Sequence, residues 1–379
     1  MPRSRSGRIL ISSISSTTPG TPRAALTFPS AVALSGGGLL ATLRAGSTKD
    51  SQDEAIELYR SDDGGRAWQP LGRLTLDEPI DGSRGTLKLC YLTERAPGHL
   101  IAAAMWVDRT SYPGQPLFNP ATEGCLPMLI VLADSRDAGA TWSPWRVVRT
   151  PDDIGPASLT SPLLALHDGR LALSVETNKR YHDAAKWYQR AVLLHSGDGG
   201  LSWGEPATAG RDPSGRIFNW DQRLGLAPDG KIGAFVWTYD SNAGVYLNVH
   251  RRISADGGLS WSPAEDLGFA DQAGRPAVLP DGRVVLPWVD RFGTRSIRAR
   301  LAPAIDAPFD PAGEVVLYAL GDGASRGAGD DSTGALLAEM SLWTFGLPFA
   351  TALPDGDVLV LYYAGSPEAM DIRWARLGI

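Results

Sequence analysis

Several short patterns in this chain put a charge beside a partner at a spacing that could do chemistry. Val107-Asp108-Arg109 and Val289-Asp290-Arg291 repeat one arrangement. A carboxylate next to a guanidinium can grip an anionic or polyhydroxylated ligand, or close on itself as a salt bridge, and both readings stand. Asp221 and Arg223 are two apart, so on a strand they share one face. They too form either a ligand site or a pair across neighbouring strands. Lys49 to Glu54 is a polar loop that carries Asp50 and Asp53, and Glu176 precedes a second one, Thr177 to Asp183. Arg44 ends one apolar run and Arg275 opens another. Trp220 and Tyr239 lie close to Asp221 and offer rings on which a sugar can stack. Trp106, Trp237 and Trp288, at matching places near strand ends, divide between that role and packing.

Other chemistries find no support. The five histidines, His99, His167, His182, His195 and His250, have no ligand spacing, so no metal is expected. No Gly-x-Ser-x-Gly elbow, phosphate loop or dinucleotide fingerprint occurs, and no cofactor is expected. The formal charge of −6 is spread without acidic or basic blocks, which argues against nucleic acid or an anionic membrane as partner. Cys90 and Cys125 are too few for a disulfide framework and are read as free thiols. The first 20 residues have no apolar stretch of signal-peptide length, so a cytoplasmic location is expected. Oligomeric state is not legible.

The elements that must position these groups are declared by repetition. Ser61 to Trp68, Ser135 to Trp142, Ser196 to Trp203 and Ser254 to Trp261 all match Ser-x-Asp-x-Gly-x-x-Trp. Ser and Asp oxygens can hold turn amides, Gly allows positive φ, and Trp can bury a ring beneath the turn. A second repeat, apolar strand, Asp-Gly, apolar strand, recurs around Asp168, Asp229, Asp281 and Asp355. Asp-Gly between β-rich runs is a strong hairpin signal. Equivalent runs turn at Gly36-Gly37-Gly38 and at Pro97-Gly98, which brings the count of inner hairpins to six. No helical periodicity competes. The expectation is one all-β domain over 1–379, a six-bladed β-propeller of four-stranded antiparallel blades. Its blades would start near residues 21, 81, 152, 211, 270 and 336, with Arg8 to Ile14 closing the last blade as an outer strand. Asp108 to Leu126 is expected to overhang a pocket, and Gly321 to Gly334 to serve as a connector.

Boxes and Asp-Gly hairpins in six units resemble the Asp-box (BNR-repeat) propellers of the sialidase, or neuraminidase, superfamily over nearly the whole chain. The resemblance implies that Asp63, Asp137, Asp198 and Asp256 hold outer turns and do no chemistry. Sialidases clamp a sugar carboxylate with three arginines, the first in an Arg-Ile-Pro that opens the first blade; this chain has Thr27-Phe28-Pro29 there. Their tyrosine nucleophile falls on Leu347, flanked by Trp343 and Phe345. Their acid/base aspartate falls on Asp50, with Asp53 nearby, and their glutamate falls on Asp221, eight residues before Asp229.

Arginine and tyrosine both answer the negative charge of sialic acid, so their joint loss implies a different sugar. Two carboxylates suffice to hydrolyse a neutral glycoside. The resemblance thus implies an exo-acting glycoside hydrolase on a glycan chain end, with Asp50 as general acid and Asp221 as base, nucleophile or polariser. Arg44, Asp53, Arg109, Glu176, Trp220, Arg223, Tyr239, Arg275, Asp290 and Arg291 would surround the ligand. The alternatives are a non-catalytic propeller that binds carbohydrate or protein, and a sialidase with a rearranged site.

Overall fold

Each Ser-x-Asp-x-Gly-x-x-Trp segment closes the same hydrogen-bonded turn. In the first, Ser61 Oγ donates to Asp63 Oδ1 at 2.8 Å and accepts from Gly65 N at 2.9 Å, and Asp63 Oδ1 takes the amides of Arg66 and Ala67. Trp68 Nε1 reaches Gly65 O at 3.0 Å. The copies at Ser135, Ser196 and Ser254 repeat the serine-to-aspartate bond at 2.8 Å. Trp203 departs from the pattern, since its Nε1 is buried without a partner. The turns at Ser135, Ser196 and Ser254 also rest on the sheet before them. A side chain on Gly258, at φ +92°, would stand 2.6 Å from Leu193, and one on Gly139 would stand 2.7 Å from Leu40. Glycine there is required by contact between sheets as well as by backbone conformation.

The structure is a computed structural model that describes residues 10–13, 17–321, 333, 337 and 339–379. The protein is all-β, in a propeller arrangement of antiparallel sheets. Four sheets stand alone: one runs from Gly85–Ala96 through His99–Asp108 and Met128–Ser135 to Arg146–Val148, and three more follow in chain order. The fifth holds eight strands, in which Phe345–Ala352, Val358–Ser366 and Ala369–Leu377 are followed by Ala25–Ala33, Leu39–Gly46, Ala55–Ser61 and Gln69–Leu74. Its two halves meet at a single parallel pair, Ala25 with Met370. Leu10–Ser13 completes it as an antiparallel partner of Arg373 to Arg376. The other residues up to 16, and Gly321 to Gly334 apart from Gly321 and Thr333, lie outside the described residues.

The core is divided between faces of successive sheets. Leu40, Leu58 and Leu74 pack against Leu92, Leu100 and Trp106, and Val285, Val289 and Ile297 pack against Val358, Val360 and Tyr362. The tryptophans at strand ends belong to this packing, for Trp106, Trp237 and Trp288 are 2%, 1% and 2% exposed. They form no exposed rim. Cys90 and Cys125 are buried free thiols.

Candidate active site

Irregularities within the first strands of four hairpins decide what faces one cavity. Register shifts fall between Thr27 and Ser30, Leu87 and Leu89, Trp220 and Arg223, and Gly346 and Phe349. The bulged residues Phe28, Lys88, Asp221 and Leu347 line one cavity of about 280 Å³. Phe28, Asp221 and Leu347 hold positive φ values of 50°, 53° and 48°. An L-residue in that region costs on the order of 1 kcal/mol, a strain that clusters at functional sites. Each of the three stands eight residues before the turn of its inner hairpin, at Gly36, Asp229 and Asp355.

Asp50 enters the cavity from the loop after the strand Leu39–Gly46. Its Oδ1 accepts from Lys88 Nζ at 2.6 Å and Arg109 Nη2 at 3.0 Å, and its Oδ2 takes the amide of Leu117 at 3.2 Å. The segment expected to overhang a pocket thus supplies an amide as well as Pro116, Leu117, Phe118 and Pro120 as wall. Behind lies Glu54, fully buried, which binds Arg44 Nε at 2.5 Å, Arg109 Nη2 at 2.6 Å and Thr86 Oγ1 at 2.6 Å. Burial works to raise both carboxyls. The charges of Lys88 and Arg109 outweigh it at Asp50 and hold that group well below the usual carboxylate range. Lys88, Arg44 and Arg109 likewise bring Glu54 down to about 2. Asp50 is therefore held as an anion by the two cations beside it.

On the other wall Asp221 Oδ1 is 3.0 Å from Arg223 Nη2, and its Oδ2 accepts from Gln272 Nε2 at 3.2 Å. Arg223 continues inward to Tyr91 Oη at 2.9 Å and to Thr160 O at 2.5 Å. The bulge that turns Asp221 outward leaves the amide of Gln222 to donate to Glu176 Oε1 at 3.1 Å. Burial, and next the charge of Asp221, push Glu176 up to about 8. A carboxyl that keeps its proton at neutral pH thus sits directly behind one that reaches the cavity.

A lysine and two rings complete the wall. Lys49 Nζ donates to Met340 O at 2.5 Å and Trp343 O at 3.3 Å and lies 5.0 Å from the Tyr363 ring and 5.5 Å from that of Trp343. Burial, then the charges of Arg291 and Lys88, bring its amine well below the usual lysine range. Arg291 is buried behind it, 3.9 Å from the Trp343 ring, with Nη2 on Gln272 Oε1 at 2.9 Å.

Of the residues expected around a ligand, Asp50, Asp221 and Arg223 line this cavity, and Arg109, Glu176 and Arg291 support it from behind. The others are elsewhere. Arg44 is fully buried on Glu54 and holds the loop through Thr48 O. Asp53 is exposed and caps Ser47 N at 3.0 Å. Trp220 and Tyr239 stack at 5.0 Å within a buried aromatic cluster. Arg275 belongs to a separate cavity. Neither Asp-Arg motif forms a gripping pair or an internal salt bridge. Asp108 caps the amides of Thr110 and Ser111, and Asp290 caps those of Gly293 and Thr294. An aspartate at the end of a strand satisfies its own turn more cheaply than it reaches across a sheet.

Sequence reasoning missed Lys49, Lys88, Glu54 and Gln272. A signal existed for Lys88, which stands nine residues before Pro97, one off the offset that marks Asp221. Gln272 and Glu54 carried none. Among the described residues no group of His, Cys, Asp and Glu is arranged to hold a metal.

No protein-family model and no curated protein matches this chain. Solved structures do. A Dyadobacter fermentans protein of unknown function matches at TM-score 0.68 and 21% identity, over 97% of this chain and 99% of that one. The intramolecular trans-sialidase of Ruminococcus gnavus, in complex with oseltamivir carboxylate, matches at 0.65 and 14%, over 97% of each chain. The α-L-arabinanase of Penicillium chrysogenum, complexed with arabinobiose, matches at 0.65 and 16%, over 98% of each. Identities this low establish a shared sialidase-like propeller fold.

Proposed function

We propose that this protein is a six-bladed Asp-box propeller whose central cavity is the active site of a glycoside hydrolase acting at a glycan chain end. For the architecture, the support is the joint of the eight-stranded sheet. Dividing it at the single Ala25–Met370 pair gives two four-stranded units, one of them completed by Leu10–Ser13. The turn glycines agree, because a Cβ on Gly65 would stand 3.1 Å from Leu359 just as one on Gly139 would stand 2.7 Å from Leu40, so the first unit rests on the last.

For the activity, the observation that carries the reading is that Asp50 and Asp221 meet in one cavity with two rings, Trp343 and Tyr363, in its wall. A glycosidase needs one carboxyl to give a proton and one to face positive charge as the bond breaks. Asp50, held ionised by Lys88 and Arg109, suits the second task. The first falls to Asp221, which reaches the ligand and would take a proton from solvent before passing it to the leaving oxygen, while Glu176 behind it stays uncharged. The roles that the sialidase resemblance implied are thereby exchanged. Likeness in fold to a trans-sialidase and an arabinanase, whose structures hold sugar-like ligands, raises the standing of carbohydrate as substrate.

The test is turnover of a panel of aryl glycosides, sialosides included. Cleavage of one member is expected, with at least about 10²-fold loss in Asp50→Asn and in Asp221→Asn. Full activity in both variants would remove the assignment. A non-catalytic sugar-binding propeller is the second reading, favoured by Leu347 in the nucleophile slot and by the paired state of Asp50. Ligand binding without turnover of any glycoside would establish it.

A further inference from the structure

The innermost strands lead from the active-site cavity to a second one at their other ends. From Phe28 the strand reaches Ala31 to Ala33, from Asp221 and Arg223 it reaches Gly225 and Leu226, and from Leu347 it reaches Phe349 to Ala352. Tyr91 and Phe349, stacked at 5.9 Å, lie between the two, with Tyr91 tied to Arg223. The second cavity has a volume of about 310 Å³. It opens to solvent past half-exposed Val32, Ala33, Leu226 and Val278.

Its walls are apolar apart from Thr93, Glu94, Thr351 and Arg275, and Arg275 is the one cation among them. Arg275 stands where the inner strand of its sheet is broken, between Gln272–Ala273 and Ala277–Val278. Backbone bonds from Arg275 N to Pro348 O and from Ala350 N to Arg275 O fix it to the next sheet. Its guanidinium lies 5.0 Å from the Phe349 ring, and Nη1 donates to Ala350 O at 2.7 Å. Nε is buried without a partner, and among the described residues no carboxylate pairs with the group. Glu94, the acid in the same cavity, is engaged with Ser35 N at 2.7 Å and Gly98 N at 3.0 Å. Burial alone accordingly lowers Arg275 to about 10. Arg275 is half-buried, so it keeps some contact with solvent, and a guanidinium at a cavity wall with no carboxylate beside it is open to an anionic ligand.

We infer that this second cavity is a binding site for a small apolar carboxylate, whose anionic end meets the Arg275 guanidinium while its hydrocarbon lies against Leu163, Val278 and Phe349. A carboxylate fits because Arg275 is the one cation of the lining, the carboxylate of Glu94 is occupied by two backbone amides, and planar guanidinium–carboxylate pairing is strong. An apolar body fits because the remaining wall offers few free hydrogen-bonding groups: the hydroxyls of Thr93 and Thr351 already donate to Leu163 O and Ala31 O. The site is independent of the glycosidase reading.

The test is calorimetric titration of the full chain with benzoate, and with benzamide as neutral isostere. Benzoate is expected to bind, and benzamide at least about tenfold more weakly. Arg275→Met should weaken benzoate by at least about tenfold, while Lys49→Met in the other cavity leaves it unchanged. Should Arg275→Met fail to fold, Val278→Asp, which sets a repelling carboxylate at the rim, is expected to abolish binding. No heat with millimolar benzoate would overturn the proposal. So would equal binding of benzamide, or a benzoate signal lost in Lys49→Met and kept in Arg275→Met.

Discussion

Glu176 shows how one side chain can set the pH behaviour of a site. Its carboxyl is raised to about 8 by burial and by Asp221, far above the value it would have in an unfolded chain. The folded protein therefore holds a proton that the unfolded chain releases, and this contribution to stability is complete at low pH and lost as pH rises through about 8. Asp271, pushed by burial to about 7, acts in the same direction. Melting temperature is expected to fall between pH 5 and 8, and Glu176→Gln, which keeps the acceptor for Gln222 N, should flatten that fall by a few degrees, on the order of 1 kcal/mol. Equal slopes in the two proteins would show that Glu176 is not the group responsible. The slot of Asp221 was legible from its offset to the Asp-Gly turn. Its partner Glu176 was legible only as an acid at a strand end, because the contact depends on which amide a bulge in the next sheet leaves free.

The four Ser-x-Asp-x-Gly-x-x-Trp turns are elements whose local chemistry was readable and whose purpose was only half readable. Spacing alone predicts that serine and aspartate hold turn amides, since these bonds join residues two to four apart. What spacing cannot predict is that the motif glycine of each turn, Gly65, Gly139, Gly200 or Gly258, lies close to a leucine of a strand remote in the chain. The turns are therefore seams between sheets as well as ends of hairpins. Ser254, 1% exposed, accepts from Gly258 N at 2.8 Å and orients Asp256. Ser254→Ala should destabilise the protein by about 1–2 kcal/mol, the cost of an orphaned buried amide, with ligand binding unchanged. Denaturant unfolding measures the first and titration the second. A variant as stable as the parent would mean that the amide finds water. The same limit explains the failed expectation for Asp108 and Asp290, where a repeat in sequence marked two equivalent turn caps, not two halves of a pocket.

For the whole molecule, the question is how the ring closes. Leu10–Ser13 pairs with Arg373 to Arg376, bringing the two ends of the chain into one sheet and covering an edge that would otherwise expose unpaired amides. Deletion of residues 1–20 is expected to lower the melting temperature markedly, and an unchanged value would sink this account of closure. The sequence by itself determined the all-β class, the positions of the turns and the number of hairpins. Those properties rest on contacts between residues close along the chain, and the repeats print them several times over. Only the tertiary structure decided which charges share a cavity. Asp50, Lys88, Asp221 and Gln272 come from four separated stretches of chain, and the charge that keeps Asp50 ionised and the burial that keeps Glu176 protonated exist only once the sheets have packed.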